Sequence, residues 1–85
     1  SVYFNQGVEI LKAANDITDN AAYDKKREEA YAKFRLALPH FEQAEKSKPN
    51  DVYILNPLST VYDQLGMDAK RDAILARIEA LEGGE

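Results

Sequence analysis

The sequence lacks cysteine and tryptophan, has a single histidine and contains no long apolar run. Without cysteine, neither a disulfide nor a thiolate metal site can form. No stretch approaches the roughly 18 apolar residues of a membrane span, so we expect no membrane insertion. The net charge of −4 is opposite to the basic surface that binds phosphates, which argues against a nucleic-acid partner.

Groups that carry catalysis are also scarce. His40 is the only histidine and has no glutamate three residues before it, so the ligand pair of a di-metal carboxylate bundle is missing. The glycines stand singly or at the end of the chain, which excludes a glycine-rich phosphate loop. We interpret His40 as a surface or half-buried residue. The sequence therefore predicts a non-enzymatic protein without cofactor or metal.

What the chain has is helical periodicity. Its apolar spacing predicts one domain over residues 1–85, built from helices at 2–17, 21–48, 52–65 and 67–81. Thr18-Asp19-Asn20 and then Asn50 or Asp51 supply N-caps, and Gly66 supplies a C-terminal stop. Gly7 inside the first helix indicates a close backbone contact. The last three residues, 83–85, are predicted to be a frayed helix end or a remnant that does not belong to the domain.

Two prolines leave alternatives open. Pro39 either kinks one long second helix or starts a new one, and we favour the first because the apolar stripe keeps its phase. Pro57 either kinks the third helix or marks its true start after Asn56. Lys25 to Glu29 are predicted to form a solvated face. Among the tyrosines, Tyr62 is predicted to be buried and Tyr53 is equally consistent with packing and with an exposed anchor.

The most informative stretch is Ala37-x3-Phe41-x2-Ala44-x4-Pro49. On a helix its two small residues flank one aromatic side chain, so a neighbouring helix can approach closely. Pro49 then ends the helix. This run resembles the second helix of a tetratricopeptide repeat, whose pattern is A-x3-F…A…P.

The resemblance extends to most of the chain, with repeat one at about 1–49 and repeat two at about 50–83. The second repeat has the family's large, Leu, small, Tyr and turn-glycine positions at Leu55, Leu58, Ser59, Tyr62 and Gly66. It departs from the pattern at Arg71, Leu75, Ile78 and Gly83. The first repeat has Gln6 where leucine is usual and about eighteen surplus residues that lengthen its second helix. Its opening, NxGVExLKxAN at residues 5–15, and its long second helix are similar to repeats from secreted or envelope proteins of Bacteroides-type bacteria.

The resemblance implies an all-α fold of antiparallel helical hairpins in a short right-handed solenoid. It also implies a protein–protein interaction module that binds a peptide or a partner helix in a groove lined by the first helix of each repeat. The groove residues it implies are Phe4, Val8, Leu11, Lys12, Tyr53, Asn56, Thr60, Asp63 and Gln64.

The alternative is an architectural or self-associating fragment of a larger repeat protein, because two repeats fall short of the roughly three usually needed for stability. An apolar first helix is then a homo-oligomer face. Since the chain starts at Ser1 and is apolar at once, we expect an excised or mature fragment. The residues leave the compartment undetermined, and the likeness to envelope proteins implies a periplasmic or envelope-associated one.

Overall fold

Four α-helices packed as sequential hairpins make up the computed structural model, which describes residues 1–83. They are α1 (Val2–Ala14), α2 (Asn20–Ser47), α3 (Val52–Gln64) and α4 (Asp68–Gly83). The all-α class and the four helices are confirmed. Of the predicted frayed end, Gly83 is the last helical residue, and positions 84 and 85 lie outside the described residues.

The helix ends follow the capping residues. Asp19 accepts a hydrogen bond from the Ala22 amide at 2.9 Å, and Asp51 accepts one from the Tyr53 amide at 2.9 Å. Gly66 has φ +71°, and the Met67 amide donates to the Tyr62 carbonyl at 2.8 Å. This is the glycine-dependent C-terminal motif that closes α3 and starts the turn to α4.

The helix bounds exclude the two alternatives in which a helix starts at Pro39 or after Asn56. Pro39 lies inside a single α2, and Pro57 lies inside an α3 that already begins at Val52. The predicted first helix is too long, because it ends at Ala14 and Ile17 belongs to the following turn. At 1.5 Å per residue, the 28 residues of α2 span about 42 Å, close to the 46 Å length of the whole molecule.

The core consists of two clusters that meet on α2. The first joins Ala30 and Phe34 of α2 to Val61 of α3, with half-buried side chains of α1 packed against them. The second joins α3 to α4 and contains Leu55, Leu58, Tyr62, Ile74 and Ile78. Leu38 and Phe41 pack against both clusters. The two hairpins therefore share one continuous core, and α2 contacts both α1 and α3.

Gly7 is buried where α1 meets α2. A Cβ at this position would lie 2.8 Å from the Cε1 atom of Phe34, closer than side-chain carbons approach one another. Phe34 is fully buried, so its ring has little room to move. The close contact predicted for Gly7 is therefore confirmed, although its partner is an aromatic ring and not another backbone.

We predict that Gly7→Ala destabilises the protein by about 1 kcal/mol. Overpacking against Phe34 costs about 1–3 kcal/mol, which exceeds the gain of up to about 1 kcal/mol from alanine's helix propensity. Urea denaturation followed by circular dichroism measures the difference. Gln6→Ala, at the exposed neighbouring position, serves as the control and is expected to change stability by less than about 0.5 kcal/mol. A Gly7→Ala variant more stable than the parent would contradict this packing.

Candidate functional site

A cavity of about 440 Å³ opens between α1 and α3, with α2 behind it. Its volume lies within the range of roughly 300–1,000 Å³ found for ligand sites. None of its side chains is charged at neutral pH. We call it the α1–α3 groove, and it is lined by Ser1, Phe4, Phe41, Tyr53, Asn56, Pro57 and Thr60.

Three phenylalanine rings support the α1 side of the groove. The Phe4 ring meets the Phe41 ring edge-on, with centroids 5.5 Å apart, and lies 5.9 Å from the ring of Phe34. Phe41 occupies the position between the small residues Ala37 and Ala44 that the sequence motif gives it. Because Phe4 and Phe41 are held by core contacts, this side of the groove is formed before any ligand arrives.

The α3 side is more exposed. Tyr53, Asn56 and Thr60 follow one another at three- and four-residue steps and so share a helix face. Tyr53 is 87% exposed, which places it on the surface and not in the core. Pro57 has no N–H, so the Tyr53 carbonyl lacks the usual intrahelical donor. The groove wall thus combines an aromatic side chain with polar groups that can bond a ligand.

The other residues predicted to line a groove lie elsewhere. Val8 and Leu11 are half-buried against the core, and Lys12 pairs with Glu9 at 3.4 Å on the surface. Asp63 accepts from Arg71 at 2.7 Å, and Gln64 accepts from Arg27 at 3.3 Å. The structure therefore brings Phe4, Tyr53, Asn56 and Thr60 into one cavity, while the binding role of all nine residues stays a prediction.

Sequence reasoning did not assign Ser1, Phe41 and Pro57 to the groove. The motif predicts Phe41 to be a helix-packing residue, and the half-buried Phe41 packs on the core and also lines the cavity. Pro57 was considered only for its effect on the backbone. The position of Pro57, four residues after Tyr53 and one after Asn56 on the third helix, is a signal that could have assigned it to the groove.

Arg27 departs from the predicted solvated face. Its guanidinium donates to the hydroxyls of Tyr31 at 2.8 Å and Tyr23 at 3.1 Å, and it lies about 5.5 Å from both ring centroids. The hydrogen bond to Tyr31 raises the pKa of Arg27. With its bond to Gln64, Arg27 ties the first half of α2 to the end of α3.

Tyr62 secures α3 to α2 in the second cluster. Its buried hydroxyl donates to the Glu42 carboxylate at 2.7 Å, and Lys70 of α4 lies over its ring at 5.9 Å. Burial raises the pKa of Tyr62, and the hydrogen bond to Glu42 and the charge of Glu45 raise it further, while Arg77 opposes them. The predicted burial of Tyr62 is confirmed.

We predict that Tyr62→Phe lowers the free energy of unfolding by about 1 kcal/mol at pH 7, because a bond to a partly exposed carboxylate is lost. Unfolded tyrosine ionises near pH 10. Since folding raises the pKa of Tyr62, its stabilisation is complete below about pH 10 and declines as the pH rises further.

Urea denaturation of both proteins at pH 7 and near pH 11 tests this dependence. The gap between the parent and Tyr62→Phe should narrow at the higher pH. Tyr53→Phe, at the exposed tyrosine, is the control and should not change stability at pH 7. A difference in unfolding free energy that stays constant between pH 7 and pH 11 would show that folding does not raise the pKa of Tyr62.

The surface of the described residues 1–83 carries the single histidine of the chain. His40 is exposed and stacks on Tyr3 with ring centroids 6.4 Å apart. Within these residues, no group of three or more acidic, histidine or cysteine side chains is arranged to hold a metal ion. No helix among them combines the length and apolar character of a membrane span.

Comparisons with models of protein families, with curated proteins and with solved structures gave no match to this chain. The likeness to tetratricopeptide repeats therefore depends on the residue pattern alone.

Proposed function

We propose that the chain is a non-enzymatic protein–protein interaction module of tetratricopeptide-repeat type, which binds a peptide or a partner helix in the α1–α3 groove. The observation that carries the proposal is the meeting of Phe4, from α1, with Tyr53, Asn56 and Thr60, from α3, in one cavity. These are the helices that would line the inner surface of a repeat stack.

The contacts of α2 support this arrangement. Phe34 packs against Gly7 of α1 and belongs to the same cluster as Val61 of α3. The first helix of each hairpin therefore lies against one common helix, as in stacked helical repeats. On this basis we propose the short right-handed solenoid as the finer description of the fold.

The chemistry of the groove suits a protein ligand. Aromatic side chains supply apolar contact area at low entropic cost, and Tyr53 combines that area with a hydroxyl. Asn56 and Thr60 add neutral donors and acceptors for a peptide backbone. A cavity without charged side chains favours a neutral apolar anchor residue.

The test uses peptides selected from a display library of random decapeptides on the immobilised chain. We predict that Tyr53→Ala and Asn56→Arg each weaken binding of the selected peptides by at least about tenfold, a loss typical of anchor residues. Both positions are exposed, so circular dichroism and thermal melting should be unchanged. Fluorescence anisotropy with labelled peptides measures the affinities.

Leu36→Ala is the matched control, because Leu36 is also an exposed apolar residue but does not line the groove. It should bind the peptides as the parent does. Phe4 is unsuitable as a probe, since its ring packs on Phe34 and Phe41 and its loss would disturb the fold. Unchanged binding by both groove variants would refute the proposed site.

A second candidate function is architectural or self-associating. Val2 is 69% exposed, and it lines a small cavity with Tyr3 and His40. Leu36, which is 48% exposed, lies one turn before His40 on α2. Together with Tyr3, Val2 and Leu36 give α1 and α2 three exposed apolar side chains that do not line the groove. Leu36→Ala also probes this function, since a chain that self-associates through these side chains would lose dimer mass in sedimentation equilibrium when one of them is shortened.

A further inference from the structure

A second cavity adjoins the α1–α3 groove at Thr60. It has a volume of about 460 Å³, lies between α3 and α4, and is lined by Ser59, Thr60, Asp63, Arg71, Asp72 and Leu75. Thr60 lines both cavities. The exposed face of α3 therefore runs from Tyr53, in the groove without charged side chains, to Asp63 in this second cavity, in steps of three and four residues.

The second cavity is negatively charged. The Arg71 guanidinium donates to Asp63 at 2.7 Å and to Asp72 at 3.0 Å. It also reaches Asp68 at 3.3 Å. Among the described residues, these three carboxylates have no other basic partner within 4.0 Å. One guanidinium cannot balance three carboxylates, so negative charge remains on this side of Thr60.

The hydrogen bonds to Asp63 and Asp72 raise the pKa of Arg71, so the arginine stays charged. Its guanidinium is engaged by these two carboxylates. Asp68 and Asp72 keep about two thirds of their side-chain surface exposed. An incoming cation can therefore approach them from solvent. Charge complementarity favours lysine or arginine at this end of a ligand and disfavours an acidic residue.

Resting on the proposed function of the groove, we propose that its ligand is a peptide segment with two features. One is an apolar anchor side chain that enters the α1–α3 groove. The other is a lysine or arginine that reaches the second cavity at Asp63 and Asp72, whose shared partner Arg71 also contacts Asp68. Asn56 and Asp63 are seven residues apart on α3, which corresponds to about 10 Å along the helix axis. An extended peptide covers this distance in about three residues. The basic residue thus lies about three positions from the anchor.

The peptides selected from the random decapeptide library test this proposal directly. We expect enrichment of sequences with one large apolar residue and a lysine or arginine about three positions away, and depletion of aspartate and glutamate there. The charge dependence is tested with Asp68→Asn/Asp72→Asn. This variant should bind the selected peptides about fivefold more weakly at low salt, and the difference should shrink at about 0.5 M salt.

Asp16→Asn/Asp24→Asn is the matched control, because it changes the net charge equally at exposed positions that neither contact Arg71 nor line either cavity. It should bind like the parent. If selected peptides require Tyr53 but carry neutral or acidic residues near the anchor, the proposal of a basic residue is wrong, while peptide binding in the α1–α3 groove is still supported. Equal losses in the two double variants would also overturn it. If no peptide requires Tyr53, both proposals fail.

Discussion

The contact between Gly7 and the Phe34 ring sets the distance between α1 and α2. A hydrogen atom in place of a side chain at Gly7 lets the ring lie directly on the α1 backbone. One turn earlier on α1, this helix spacing places the ring centroid of Phe4 5.5 Å from the ring centroid of Phe41. The shape of the α1–α3 groove thus depends on a glycine that does not itself line it.

The α3 side of the groove is fixed from the opposite direction. Val61 is fully buried with Phe34, so one aromatic ring carries packing from both first helices of the hairpins. Arg27 and Glu42, at two levels of α2, hold Gln64 and Tyr62 of α3 through polar side chains. The residues that hold α3 against α2 differ from Tyr53, Asn56 and Thr60, which line the groove. Substitutions on that face can therefore change binding while the core stays intact.

Much of the fold was predictable because the signals are local. The caps at Asp19 and Asp51, the stop at Gly66 and the apolar stripe through Pro39 each depend on near neighbours in sequence. The end of α1 was misjudged because Ile17 continues its apolar spacing, although the chain has already turned there. Arg27 was misread for a related reason, since charge patterning does not reveal that two tyrosines four residues away on each side enclose it.

The candidate site was predictable only in part. Tyr53, Asn56 and Thr60 share a helix face that the sequence defines, and their meeting with Phe4 follows from the expected hairpin order. Asp63 continues the same face but lies in the next cavity, and Gln64 turns toward Arg27. The positions of these two side chains depend on Arg71 and Arg27, the long side chains that lie opposite them on other helices. Helical spacing within α3 does not reveal which residues of other helices lie opposite.

The central claim is that α1 packs on α2 through its aromatic residues and so forms one wall of the groove. A nuclear Overhauser spectrum of the isotopically labelled chain tests it most directly. We expect cross-peaks between the ring protons of Phe4 and Phe41, together with cross-peaks from the Gly7 α-protons to the Phe34 ring. If both sets are absent while α1 remains helical, the helix lies elsewhere and the groove does not exist as described.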